Sequence, residues 1–461
     1  MPYDQVRFIG YTINTMPQEN PDGSETYLGL TTGSPPATSP EDIRARCALM
    51  LRAMRTAAAA LPAPAPGPAP SILNVFMAPE FFFRGPMGAY QMNECQQAIE
   101  QLQAMVQGEE WRDWLFAFGS ILAVSAPPAG SPAPREAYNF SLVQLGGQGS
   151  GGGIGANVVM KELQAGCDFI NTVQVPASAL VGNVAYPDAG PDGPGREQQQ
   201  LAYDNAGVFA QAGITWGLEI CLDHFSNVQR TGRLQRSPQM PGDPQIQVQL
   251  VPSGGMAIHI DQIMAMPGGY VFNCDGAGIP SATLGKIDLS GKARVVSPST
   301  QSDVPDGPLG SLGSPPAPVT IDQLYAGGPG SVVIYPSVLL PAPATVPGEA
   351  RDIVWPAADN LTLTFRLVFD TAGQLVTATV IIDSDIVHTA GRAYFMPLFL
   401  TRETDDPAQN VHFHISLEKG IAGYDYGIEC QIATPQFKFE GFAVAFDAPA
   451  NPAAKPDQTA W

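Results

Sequence analysis

Thr215-Trp216-Gly217-Leu218-Glu219-Ile220-Cys221-Leu222-Asp223-His224 is an apolar run that ends in a cysteine, an acid and a histidine. It reads as a buried strand that delivers Cys221 into a tight turn. Two other segments follow the same grammar. Phe76-Met77-Ala78-Pro79-Glu80-Phe81-Phe82-Phe83 carries an apolar run into a glutamate, and Val158-Val159-Met160-Lys161-Glu162-Leu163 carries one into a lysine. Three strands that each end in a reactive side chain predict a layered α/β domain whose sheet ends share one pocket.

Outward from these segments the same texture recurs. A first strand is expected over residues 6–14, and Ser39-Pro40-Glu41-Asp42 opens a helix, with Ser to cap it and acids at its amino end. Residues 62–70 are Pro-rich and read as a surface linker. A strand over 72–78 and a helix over 94–106 follow, then strands over 115–124, 139–145, 157–160, 206–209, 215–220, 247–252 and 270–273. A helix is expected over His259–Met266. Residues 1–300 form this α/β domain. Residues 301–349 are rich in Ser, Pro and Gly and read as a linker or extended arm. Residues 350–461 alternate with period two, as in Leu361–Phe369 and Val411–Leu417, and read as a smaller all-β accessory domain, a sandwich.

Composition narrows the function. The chain has 461 residues, 44% of them hydrophobic, and a net charge of −20 with only 23 Lys and Arg. That balance argues against nucleic acid or an anionic membrane as partner. No apolar run spans a bilayer and no signal peptide is evident, so a soluble cytoplasmic protein is expected. The six cysteines (Cys47, Cys95, Cys167, Cys221, Cys274, Cys430) show no CxxC spacing and read as free thiols. The glycine run over 146–155 precedes no helix and reads as a hairpin loop, not a phosphate cradle. His412 and His414, with His388, are read as strand-face polar residues ahead of a metal site, and no metal is expected.

A cysteine nucleophile needs a base or a nearby positive charge to act as thiolate. Glu80, between a proline and three aromatics, sits in a low-dielectric setting that favours its protonated form, so it suits proton transfer. Lys161 suits the stabilisation of charge that develops on attack. Singly, each residue at a strand end is more often structural; the conjunction carries the weight.

In that order and with those flanks, the chain resembles the nitrilase (carbon–nitrogen hydrolase) superfamily. Ala78-Pro79-Glu80-Phe81 resembles its glutamate motif, Met160-Lys161-Glu162-Leu163 its lysine motif, and Gly217–Asp223 its nucleophile motif. Phe118-Gly119-Ser120, Tyr138-Asn139-Phe140-Ser141, Leu250–Gly254, Tyr270–Asn273 and Leu284–Lys292 fall between and after them in matching places. The resemblance spans roughly residues 6–300. It implies a four-layer αββα sandwich. It also implies a hydrolase of amide, carbamoyl or nitrile carbon–nitrogen bonds that works through a Cys221 thioester, without cofactor and as a homo-oligomer acting on a small molecule. Glu80 would be the base. Lys161 and the backbone N–H of Leu222 would hold the oxyanion. An acyltransferase using the same triad, and a catalytically inactive binding protein, are the alternatives.

The chain departs from the family in a long Lys161–Cys221 interval, with residues 183–200 reading as an insertion. Beyond Glu162, the second glutamate that many members carry shortly after the lysine motif is missing at its place, Asp168 being the nearest acid there. Glu219, which shares strand parity with Cys221, His224 and Arg84 are further candidates for supporting the site or contacting substrate; for Arg84 a structural salt bridge is equally plausible.

Overall fold

The computed structural model describes residues 3–19, 21–22, 25–26, 28–30, 39–62, 71–85, 88–125, 136–148, 155–161, 207–225, 232–236, 243–312 and 317–346, together with the strands of the segment 349–447. Asp168, the 183–200 stretch, Cys167 and His388 lie outside these residues. The side chains of Cys430, His412 and His414 do so too.

Among the described residues, the first compact unit is built on two large sheets. The first contains β1 (Gln5–Thr12), β2 (Ile72–Met77), β3 (Trp114–Ala117), β4 (Ile121–Ser125), β5 (Glu136–Leu145) and β6 (Ala156–Met160). The second contains β7 (Val208–Gln211), β8 (Ile214–Leu218), β9 (Val248–Ser253), β10 (Tyr270–Asp275), β11 (Ser281–Ile287) and β12 (Ala293–Val296). Among the later strands, β13 (Thr300–Asp303) and β14 (Ser331–Ile334) return to the first sheet, whose main order is β13-β14-β1-β2-β3-β5-β4 with β6 also on β5, and Val338–Leu339 pairs with β1 as well. The second sheet runs β7 to β12 in sequence order. The strands that end in Glu80 and in Cys221 lie in parallel pairings, β1–β2–β3 and β8–β9–β10.

Side-chain alternation explains why the two sheets meet. Val6 and Phe8, then Leu73, Val75 and Met77, then Leu115 and Ala117 point to one side of the first sheet. They form a single buried core with Trp216, Leu218, Val248, Leu250 and Phe272 of the second. Each such side chain contributes about 1.5–3 kcal/mol when fully buried. Helix α1 (Ser39–Ala59) buries Ile43, Leu49, Met50, Ala53 and Met54 and packs on α2 (Met92–Met105) and on β14. The outer side of the second sheet is covered by a satellite core of Leu234, Ile246, Val251, Val271 and Ile287 with Ile258, Ile263 and Met264 against it.

Three expectations are corrected here. The single strand expected over 115–124 is two successive strands along the same edge of β5, because Phe118–Ser120 interrupt the ladder where Gly119 has φ 74°. His259–Met266 is not a helix but a single 3-10 turn, Ile260–Gln262, within a loop. The stretch 301–349, read as a linker or arm, is woven into the first sheet: Thr12 pairs with Ser331, and Ser331 with Asp303. Val319, Ile321, Leu324 and Tyr325 between those strands are buried. The α/β unit therefore does not end at residue 300.

The tail from Thr345 belongs to a second compact unit. It contains a four-stranded antiparallel sheet (Glu349–Ala358, Leu361–Phe369, Leu375–Ser384, Tyr394–Pro397) and a three-stranded one (Val411–Ile421, Tyr424–Ala433, Lys438–Asp447). Among the described residues no helix is long and apolar enough to cross a membrane.

Candidate active site

Glu80 follows β2 in a turn whose backbone is fixed from four sides. Ala78 N–H donates to Ala117 (2.9 Å), Glu80 N–H to Ser253 (3.3 Å), Thr15 Oγ1 donates to the Glu80 carbonyl (2.7 Å), and Phe81 N–H donates to Ser120 Oγ (2.9 Å). Phe81 takes φ 64°, in the left-handed region that non-glycine residues adopt at a cost. Gly119 is required beneath it, since a Cβ there would lie 2.1 Å from the Pro79 carbonyl. The glutamate side chain is fully buried.

Lys161 leaves the end of β6 beside it. Its backbone N–H donates to Asn139 (2.7 Å), and its ammonium lies 2.9 Å from Glu80 Oε1 and 5.8 Å from the centre of the Phe81 ring. Asn139 Nδ2 donates to the same Oε1 at 2.8 Å. Although 81 positions separate them in the chain, the acid and the lysine form one buried ion pair.

Cys221 comes from the other sheet. β8 ends at Leu218 and the chain turns into a 3-10 helix, Cys221–His224, with Cys221 at φ 47°. Of four described non-glycine residues with positive φ, this cysteine and Phe81 are two. Such strain clusters where surrounding contacts hold a reactive side chain in place. Cys221 Sγ lies 3.9 Å from the Gly254 carbonyl oxygen. Gly254 is also the meeting point with the acid: a Cβ built on it would stand 3.3 Å from Glu80 Oε2 and 2.6 Å from Phe81 Cε2. Leu222 is the second residue of the 3-10 turn, in its first turn, where backbone N–H groups lack intrahelical acceptors.

The supporting candidates separate. Glu219 is a brace of the cysteine turn: Oε1 accepts from Leu234 N–H (2.8 Å), and Oε2 accepts from Gln249 Nε2 (2.9 Å) and meets His224 Nδ1 at 2.7 Å. His224 Nε2 accepts the His259 N–H (3.0 Å), so both ring nitrogens are engaged within the fold. His224 is therefore fully buried and held at both ring nitrogens. Arg84 is fully buried, donates to the Leu324 carbonyl (3.5 Å) and joins a cluster with Asp42, Arg46, Tyr90 and Tyr325. Burial first, then the Arg46 charge, lowers its pKa to about 10.

The other described thiols are Cys47, Cys95 and Cys274, all buried. Burial, with Asp42 nearby, pushes Cys47 up to about 12, and burial pushes Cys95 and Cys274 well above the ordinary thiol range. Raised thiols are poor nucleophiles.

Asn139 is the site residue that sequence reasoning did not single out. Its only signal was its position two residues into the Tyr138-Asn139-Phe140-Ser141 match, on the strand before the lysine.

No family model matches this chain, and no curated protein matches it in sequence. Among solved structures, the chain is similar to a CN-hydrolase superfamily protein of Xanthomonas campestris whose crystal structure carries an arsenic adduct in the active site. The similarity has 13% identity and a TM-score of 0.29, and it covers 63% of this chain and 85% of that one.

Proposed function

We propose that the protein is a carbon–nitrogen hydrolase in which Cys221 is the nucleophile, Glu80 the base and Lys161 the cation that holds developing charge. The observation that carries this reading is the buried Lys161–Glu80 pair at 2.9 Å, placed against Gly254, whose carbonyl meets the strained Cys221 at 3.9 Å. The α/β unit is read as the four-layer sandwich of that superfamily, and residues 350–461 as an all-β accessory domain.

In this reading Glu80 takes the Sγ proton as the thiolate attacks the carbonyl carbon of an amide or carbamoyl group. The oxygen of the tetrahedral adduct gains its negative charge between the Lys161 ammonium and the Leu222 N–H. Glu80 returns the proton to the leaving nitrogen, which departs as ammonia or an amine, and a Cys221 thioester remains. Glu80 then deprotonates a water that attacks the thioester. The carboxylic acid leaves, the proton returns to Sγ, and every bond made or broken is accounted for without a cofactor.

The test is a panel of amides, carbamoyl compounds and nitriles assayed for ammonia release, with Cys221→Ala alongside. At least one substrate releasing ammonia from the native protein and none from the alanine variant is expected. Release that is undiminished in Cys221→Ala overturns the assignment. An acyl adduct on Cys221, trapped by acid quench and read by mass spectrometry, identifies the thioester. Its transfer to added amines in preference to water would make the protein an acyltransferase.

A further inference from the structure

A buried amide that serves only the fold is expected to pair both of its ends. Asn139 does not. It is 2% exposed, its Nδ2 donates to Glu80 Oε1 at 2.8 Å, and its Oδ1 has no hydrogen-bond partner among the described residues. Turning the amide over would set an oxygen against the carboxylate, so its orientation is dictated by Glu80. The same residue's backbone carbonyl accepts the Lys161 N–H at 2.7 Å. One residue of β5 thus touches the acid through its side chain and the lysine through its backbone.

Both donors, the Asn139 amide and the Lys161 ammonium at 2.9 Å, converge on Oε1. Two donors on one oxygen fix the rotation of the carboxylate plane, which a single ammonium on a flexible stem does not. Oε2 is thereby held on the side of Gly254, where a built Cβ would lie 3.3 Å from it and where Cys221 Sγ approaches the Gly254 carbonyl.

We propose that Asn139 is a positioning residue of this site: its amide, together with Lys161, anchors Oε1 of Glu80 so that Oε2 faces the Cys221 side and exchanges the proton there. This rests on the reading of Cys221 as nucleophile and Glu80 as base. Asn139 also stabilises the ionised carboxylate by hydrogen bonding, so removing its donor makes Glu80 hold its proton to higher pH.

The experiment needs no known substrate. Iodoacetamide labelling of Cys221 is followed by peptide mass spectrometry across pH 5–9 in the full-length protein and in Asn139→Leu and Asn139→Asp, with thermal melting of each. In the native protein Cys221 labels faster than Cys47, Cys95 and Cys274. In Asn139→Leu the acid limb of the labelling profile moves to higher pH, and labelling on that limb slows roughly tenfold. Asn139→Asp, which sets a second acid against Glu80, moves the limb further in the same direction. Should the leucine variant not fold, Asn139→Ala, which removes the amide without added bulk, carries the same measurement. Variants that fold and retain the native profile overturn the role of Asn139 while leaving the nucleophile assignment standing. A native Cys221 that labels no faster than the other three thiols overturns the underlying reading, and the inference with it.

Discussion

Two fully buried ion pairs flank the Glu80 turn, and they are built differently. Arg46–Asp42, at 2.6 Å within α1, is closed on every side. Asp42 also accepts from Tyr90 Oη (2.6 Å) and Leu30 N–H (3.1 Å), while Arg46 donates to the Leu28 and Phe82 carbonyls and lies over the Tyr325 ring. Burial alone would lower the Arg46 pKa, yet Asp42, Tyr325 and Tyr90 hold it well above its ordinary value. Lys161–Glu80, by contrast, joins residues 81 positions apart, shares Oε1 with the Asn139 amide and lies against Gly254, whose carbonyl meets the backbone-strained Cys221. The first pair ties a helix to the loop that carries Glu80. The second has the makings of chemistry.

Breaking each pair should therefore read out differently, and this is where the largest effects are expected. Arg46→Met leaves the Asp42 carboxylate buried without its cation and should lower stability by about 3–5 kcal/mol. The activity per folded molecule should change little, as urea melts and assays at low temperature would show. Lys161→Met should abolish turnover, with a loss of roughly a thousandfold or more. Its stability loss should be smaller than that of Arg46→Met, because Glu80 is able to neutralise itself by binding a proton whereas Asp42 remains in a nest of donors. If Arg46→Met silenced folded protein while Lys161→Met remained active, the division between the two pairs would be wrong.

A smaller effect sharpens the comparison at the contact between the two sheets. Gly254→Ala places a Cβ 2.6 Å from Phe81 Cε2 and 3.3 Å from Glu80 Oε2. Overpacking of this kind costs about 1–3 kcal/mol. Displacement of the acid by a fraction of an ångström should reduce turnover by roughly a hundredfold. Activity should thus fall much further than stability. A Gly254→Ala protein that is as active as the native one would remove Gly254 from the link between Cys221 and Glu80.

The three residues of the proposed triad stand out in the sequence because each ends an apolar run, and such a run is a strong local signal. Their partners could not, since they are defined only across strands. Asn139 reads as one polar residue in an alternating strand, and nothing local says that it meets Glu80. The Ser/Pro/Gly texture of 301–349 hides β13 and β14 because four-residue strands take their stability from the strand they pair with, here β1 and each other. The loop 259–266 has helical apolar spacing, but its backbone donors are claimed elsewhere. His259 N–H goes to His224 Nε2, and Met264 and Ala265 N–H go to Gln249 Oε1. Side chains from under the cysteine turn outcompete the helix for those groups.

The last expected effect leaves turnover aside and concerns the other described thiols, Cys47, Cys95 and Cys274. Cys47, raised to about 12 by burial and Asp42, and Cys95 and Cys274, raised by burial, are all protonated in the fold at neutral pH. In the unfolded chain a thiol ionises near pH 8.5. A folded-state pKa above the unfolded value means that the native protein binds the proton more tightly. This contribution to stability is fully present below about pH 8.5 and is lost as the pH rises toward the folded values. Each thiol should remove about 1 kcal/mol per pH unit over that window. Urea melts at pH 8, 9.5 and 10.5 should show stability falling with each step, and Cys47→Ala should flatten the slope by one thiol's share. Tyr325, fully buried and raised to about 12, adds to the decline only above about pH 10. Stability that stays level from pH 8 to 10.5 would mean that these cysteines ionise as freely in the fold as outside it. The proposed contrast between Cys221 as nucleophile and three inert thiols would then fail.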